Sequence, residues 1–324
     1  MVNLFNKDKK ILVRYLLSLA GVVLFASIIV DSDQSDKARG RINYNSVVAG
    51  ESSKIFDQES LSEVRLRPSL KFSHTPSPSL SAKAYLIYDI DSQKILTTLN
   101  ADDPLPIASL TKLATALLVS KVLSPDDKIE ITSNMVSQLP SPNLGLVPGE
   151  VVTVRSLVEG MLVGSANDAA EALIYAIGGG DREEGIASLN AQAESLNLKR
   201  THYANPTGFD DPNAFSTAAD VLAVALEIKR NPWLMSVLSE TRGEVTSSDG
   251  SVVHKFQTTS SLLRDRDDII KGGKTGFTDE ALGNLVVFAG SPTNSNLLAV
   301  LLGSADREGE MLALIQWTFD AYNW

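Results

Sequence analysis

The sequence predicts an α/β fold of the α+β kind, in which one sheet is assembled from the two ends of a domain and a helical lobe is inserted between them. Three observations predict it. Two β-type stretches around a short polar turn open the domain, a series of helical patterns follows, and apolar β-rich runs return near the C-terminus.

The domain begins near Lys83, where Ala84 to Asp89 and Lys94 to Leu99 flank Ile90-Asp91-Ser92-Gln93, a hairpin pattern. Helical spacing then covers Ser109 to Val122, Val154 to Leu162 and Asn167 to Ile177, the last stopped by Gly178-Gly179-Gly180. Two more helices run from about Glu184 to Leu196 and from Thr217 to Arg230. Strand patterns resume with Glu244-Val245-Thr246 and Val252-Val253-His254 around Asp249-Gly250, then Leu285 to Ala289 and Leu297 to Leu302. An amphipathic segment, Glu308 to Tyr322, closes the chain. No internal repeat is visible.

Ahead of this domain lie two segments of different character. Lys7, Lys9, Lys10 and Arg14 precede an apolar run from Tyr15 to Val30 broken only by Ser18 and Ser27, which reads as an export signal over residues 1–30. Counted from Ile11, the run approaches the ~20 residues that span a bilayer, so the expectation is an uncleaved, single-pass signal anchor in a bacterial cell membrane. Its basic flank is expected to stay cytoplasmic and the rest of the chain to lie outside. Ser18-Leu19-Ala20 offers the alternative of cleavage, which would make the protein secreted or periplasmic. From Asp31 to about residue 82 the composition turns to Ser, Asp, Gln and Pro without a long apolar face, the pattern of a flexible stalk. The folded domain is therefore expected over residues 83–324.

At 324 residues and 44% hydrophobic, the chain holds enough apolar material for a sizeable core. A net charge of -10 argues against nucleic acid as a partner, because such binding draws on Lys and Arg set against phosphates. The absence of cysteine removes disulfides and thiolate nucleophiles, and the dispersed His74, His202 and His254 form no metal-binding spacing. No metal and no cofactor is expected.

Three short motifs carry chemistry: Ser109-Leu110-Thr111-Lys112, Ser165-Ala166-Asn167 and Lys274-Thr275-Gly276. Each alone is weak; the second pattern also fits Ser141-Pro142-Asn143, Ser188-Leu189-Asn190 and Ser195-Leu196-Asn197. Context sorts them. Ser109 follows Pro104 and Pro106 and opens an apolar helix, with Lys112 three residues on along the same face. A serine hydroxyl needs a base, and a lysine serves as one if burial or a neighbouring cation, such as Lys274, disfavours its charged form. Taken singly, Ser109 also fits an ordinary helix cap. Ser165 and Asn167 fall in a polar break between two helices and can present a hydroxyl and an amide to a cleft, whereas Asp168 reads as a cap. Lys274-Thr275-Gly276 follows Ile269-Ile270-Lys271-Gly272-Gly273 and reads as the tail of an edge strand able to pair with an extended peptide, with a glycine-rich turn as the alternative.

With their surroundings, Pro106 to Lys112, Ser165 to Ala170, Asn205-Pro206-Thr207-Gly208-Phe209, Ser216 to Asp220 and Lys274 to Thr278, these motifs resemble the serine-type D-alanyl-D-alanine carboxypeptidases. Those are low-molecular-mass penicillin-binding proteins of peptidase family S11, within the penicillin-binding protein and serine β-lactamase superfamily. The resemblance runs from about Ala84 to the C-terminus. It implies a β-lactamase/transpeptidase-like fold, an antiparallel sheet flanked by helices, and a hydrolase that removes the terminal D-alanine from peptidoglycan stem peptides and is acylated by β-lactams. By the same resemblance Ser109 is the nucleophile, Lys112 its base and Ser165 a proton relay. Asn167, Lys274, Thr275 and Gly276 bind substrate, and the backbone N–H groups of Ser109 and Phe277 form the oxyanion hole. Phe215 stands where the family often has histidine, and Ala281-Leu282-Gly283 where it often has Ala-Gly. The chain's end at Trp324 suggests that the C-terminal β domain of many relatives is missing. A β-lactamase, a D,D-endopeptidase and a non-catalytic wall-binding protein are the alternative readings. Glu194 and Asn197 do not reproduce the E-x-x-x-N spacing that would favour the first.

Overall fold

The computed structural model describes residues 68–71, 76–265, 268–290 and 295–324. The expected signal anchor and the stalk up to residue 67 lie outside the described residues. In chain order the elements that matter for the site are β1 (Ser69–Leu70), β2 (Ala84–Asp89), β3 (Lys94–Leu99), α1 (Thr111–Val122), β4 (Lys128–Glu130), β5 (Val151–Thr153), α2 (Val154–Val163) and α3 (Asn167–Ile177). They continue with α4 (Arg182–Ser195), α5 (Ala218–Lys229), α6 (Pro232–Leu238), β6 (Arg242–Thr246), β7 (Val253–Gln257), β8 (Ile270–Thr278), β9 (Leu282–Gly290), β10 (Asn296–Ser304), α7 (Arg307–Ala321) and β11 (Tyr322–Asn323).

The main sheet has the order β3-β2-β10-β9-β8, and its pairs are antiparallel. The two strands nearest the domain's start join the three nearest its end, with α1 to α6 gathered on one face and the short helical turn Ser261–Arg264 on the other, with α7. β9 and β10 read as nearly continuous apolar runs because both faces of the sheet are covered. Strand alternation divides the side chains of β2, β9 and β10: Leu86, Val286, Phe288, Leu298, Val300 and Leu302 pack on the helical lobe, while Ile87, Leu285, Val287, Ala289, Leu297, Ala299 and Leu301 pack with Met311, Leu314 and Ile315 of α7. Each fully buried Leu or Ile contributes about 1.5–3 kcal/mol of burial. A one-residue slip would exchange the two sets, so register is well specified.

Within the lobe, α1 is buried on all sides from Thr111 to Val119 and carries no polar stripe. It is therefore a central core helix, and Lys112 on it is fully buried. Short elements absent from the sequence reading include the β4–β5 pair and α6. The signal for α6 was present in Asn231-Pro232: the Asn231 side chain accepts from Trp233 N and Leu234 N, and proline occupies the first helical turn.

Part of the stretch expected as stalk belongs to the folded domain. β1 pairs antiparallel with β11, Ser69 opposite Asn323 and Leu70 opposite Tyr322, and the Glu310 carboxylate accepts the N–H groups of Ser81 and Ala82. These ties run through backbone groups, which composition does not reveal.

Candidate active site

Ser109 lies in a single 3-10 turn, Ala108–Leu110, that leads into α1. The helix expected to open at Ser109 thus starts two residues later as an α-helix. Ala108 is held at φ 47, a left-handed conformation rare for a residue with a side chain. Two glycines from distant segments press on this turn. A Cβ on Gly208, at φ +83, would lie 1.9 Å from Ala108 O, and one on Gly276 would lie 2.9 Å from Ile107 O and 3.2 Å from Ser109 N. Any larger residue at 208 would push the turn that carries Ser109 out of place.

Lys112 is fully buried. Its Nζ lies 2.8 Å from Ser109 Oγ and donates to Asn167 Oδ1 at 2.7 Å and to Thr207 O at 2.7 Å. The last two partners are carbonyl oxygens, which only accept. A neutral amine has two N–H donors and one lone pair. With both donors taken by carbonyls, the lone pair of the neutral form faces the Ser109 hydroxyl. Burial, reinforced by the charge of Lys274 and opposed by Glu171 and Asp168, pulls the Lys112 pKa well below the ordinary lysine value, which favours that neutral form.

Asn167, the first residue of α3, is locked in orientation. Its Nδ2 donates to Pro140 O at 2.9 Å and its backbone N–H to Pro142 O at 2.9 Å, so Oδ1 is the atom turned to Lys112. Asp168 accepts from the N–H groups of Leu144, Gly145 and Leu146 and so ties the same loop down instead of entering the site. Ser165 sits in the break between α2 and α3 at φ 59, 4% exposed, and accepts from Lys274 Nζ at 2.8 Å.

Lys274 is on β8, the edge strand of the sheet, as the glycine-rich approach suggested. Its Nζ also donates to Thr275 O at 2.9 Å. Burial, with Arg307 nearby, lowers its pKa to about 7. The Thr275 hydroxyl is bonded to that of Thr259, and Phe277 is 60% exposed at the strand's end. Ser109, Lys112, Ser165, Asn167, Lys274, Thr275 and Gly276, from three separate stretches of chain, thus converge where the helical lobe meets the sheet edge. His202 and His254 lie elsewhere: Nδ1 of the first is 2.7 Å from Asn213 O, and Nε2 of the second is 3.0 Å from the buried Glu150 carboxylate. Among the described residues no group of three or more His, Cys, Asp and Glu side chains is placed to hold a metal ion.

Two contributors carried no assigned role in the sequence reading. Thr207 supplies its backbone carbonyl to Lys112, and Arg307, at the start of α7, donates from Nη1 to Gly276 O at 3.2 Å. The Asn-Pro-Thr-Gly-Phe string was a visible signal for the first; the second is a tertiary contact with no local signature.

The sequence profile of the D-alanyl-D-alanine carboxypeptidases, peptidase S11, matches residues 71–306. The chain belongs to this family. It is 33% identical over 263 residues to the D-alanyl-D-alanine carboxypeptidase DacA of Haemophilus influenzae, a match covering 77% of this chain and 64% of that protein's length. Among solved structures, the D-alanyl-D-alanine carboxypeptidase of Mycobacterium tuberculosis superimposes with a TM-score of 0.70 at 27% identity, over 78% of this chain and 96% of that one. Penicillin binding protein 5 of Haemophilus influenzae gives 0.68 at 31% identity, over 76% and 72%. The antiparallel sheet with its inserted lobe is thus the fold that S11 carboxypeptidases share with penicillin-binding proteins.

Proposed function

We propose that this chain is a serine-type D-alanyl-D-alanine carboxypeptidase of the bacterial cell wall that removes the terminal D-alanine from peptidoglycan stem peptides. The single observation that carries the reading is the buried Lys112, its two N–H groups taken by carbonyls and its third direction filled by Ser109 Oγ at 2.8 Å. In the proposed reaction Ser109 Oγ attacks the carbonyl carbon between the two D-alanines while its proton passes to Lys112. Negative charge gathers on the carbonyl oxygen, facing the N–H groups of Ser109 and Phe277. Collapse breaks the C–N bond, and the departing D-alanine amine takes a proton from Lys112, with Ser165 as relay. Water then adds to the ester, giving a proton to Lys112, and collapse breaks the bond to Ser109 Oγ, which takes that proton back from Lys112 as the shortened peptide leaves. The family to which the chain belongs supports the reaction type, and the same Ser109 is proposed to be acylated by β-lactams.

Lys274 and Thr275 are proposed to hold the substrate's terminal carboxylate, because charge-assisted hydrogen bonds are about twice as strong as neutral ones. N-acylated Lys-D-Ala-D-Ala should release one D-alanine, and its C-terminal amide should react about tenfold to a few hundredfold less efficiently in kcat/KM. The pH dependence has a definite sign. Lys112 acts when neutral, so kcat/KM rises as it loses its proton; Lys274 anchors when charged, so kcat/KM for the free acid falls as pH passes about 7. The amide should lack that fall, and Lys274→Ala should abolish both the fall and most of the preference. Equal rates for acid and amide on the wild type would favour an endopeptidase.

The export signal and apolar run of residues 1–30 support an extracytoplasmic domain on an N-terminal membrane anchor. Among the described residues no helix is long and apolar enough to cross a membrane. Cell fractionation with N-terminal sequencing should find the mature protein in the membrane fraction with its first thirty residues intact; a freely soluble, shortened form would contradict the anchor.

A further inference from the structure

We infer that Asn205 is a positioning residue for acyl transfer, acting through the Thr207 carbonyl on the base Lys112; this rests on the reading of Lys112 proposed above. The Asn205 Oδ1 atom accepts from four donors of its own loop: Thr207 N at 3.2 Å, Thr207 Oγ1 at 2.8 Å, Gly208 N at 2.7 Å and Phe209 N at 3.1 Å. Its Nδ2 donates to Phe209 O at 3.1 Å, closing the loop on itself. With the N–H groups of residues 207, 208 and 209 drawn inward to one oxygen, the Thr207 carbonyl turns outward. There it accepts from Lys112 Nζ at 2.7 Å and, at 3.4 Å, from Ser109 Oγ. The carbonyl of Pro206 meets Thr115 Oγ1 of the same helix at 3.2 Å, and Gly208 rests against Ala108 O and Ser109 N. One asparagine oxygen therefore sets a loop that touches the nucleophile, the residue before it and the base.

The consequence is directional. Lys112 has two carbonyl acceptors, Asn167 Oδ1 and Thr207 O, and both are needed to occupy the two N–H groups of the neutral amine. If the Thr207 carbonyl swings away, one N–H is left free to turn onto Ser109 Oγ, and the lone pair leaves the hydroxyl it must deprotonate. A carbonyl acceptor also favours the ammonium over the amine, so its loss moves Lys112's titration to lower pH. The charged groups acting on Lys112 are Lys274 on β8 and Glu171 and Asp168 on α3, and Asn205 to Phe209 contributes no charge. The shift is thus separable from their effects.

The test combines two readouts on the full chain: the rate of acylation by benzylpenicillin, and the titration of Lys112 followed by NMR in lysine-labelled protein. Asn205→Ala should slow acylation about tenfold to a hundredfold and move Lys112's titration to lower pH. Asn205→Asp, which keeps an oxygen for the four donors, should recover the rate to within about fivefold without that downward shift. If Asn205→Ala does not fold, as judged by thermal melting, Asn205→Ser reports the same trend. A Lys112 titration unchanged in the alanine or serine variant, whether or not acylation slows, overturns the inference and leaves Asn205 a loop brace only. A wild type that benzylpenicillin does not acylate refutes the proposed reaction, while the titration still decides what Asn205 does to Lys112.

Discussion

Lys112→Arg is expected to abolish acylation of Ser109 by benzylpenicillin, a loss of at least about a thousandfold, although the proposed nucleophile is untouched and a basic side chain is kept. Lys112 lies in a solvent-free part of α1 between two carbonyls and a hydroxyl. A guanidinium there has five N–H donors and no lone pair, and it does not surrender a proton at working pH. It can satisfy Asn167 Oδ1 and Thr207 O but cannot accept from Ser109. Lys112→Ala should fail equally, because Ser109 without its base is an ordinary alcohol. Time courses of labelling by a fluorescent penicillin check the result, alongside melting curves to show that the variants fold. Labelling of Lys112→Arg at a rate near wild type would exclude the lysine as base and leave the carbonyl cage without a catalytic purpose.

The parts of this molecule that the sequence disclosed are those with local signatures. The strands flanking Ile90 to Gln93, the glycine stop after Ile177 and the edge position of Lys274 all follow from turn chemistry, helix stop signals and β patterning acting over a few residues. The candidate site residues could be picked out because Ser109 and Lys112 share a turn, and because the motifs lie in the order of a known family. What was not legible is made across the chain. Nothing near Arg307 points to Gly276, 31 residues away, and nothing in Ser69-Leu70 points to Tyr322-Asn323. The left-handed Ala108 and Ser165 were equally hidden, since neither residue type advertises positive φ. Those strained positions survive because neighbours over-determine them, Gly208 and Gly276 at the first and the Lys274 ammonium at the second. The Asn205 hub shows the intermediate case: the string was visible and its partner, the buried lysine, was not.

Acylation of Ser109 Oγ is tested most directly by intact-protein mass spectrometry after exposure to benzylpenicillin. The wild type should gain the mass of one ring-opened penicillin and keep it for many minutes, because the bound adduct is expected to block the approach of water, and among the described residues the hydrogen-bond partners of Ser109 Oγ and Lys112 Nζ include no carboxylate that could speed hydrolysis. Ser109→Ala should gain nothing, under conditions where the wild type labels completely. An adduct that persists in Ser109→Ala would place the nucleophile elsewhere, and rapid release with turnover of many penicillins per second would make the protein a β-lactamase.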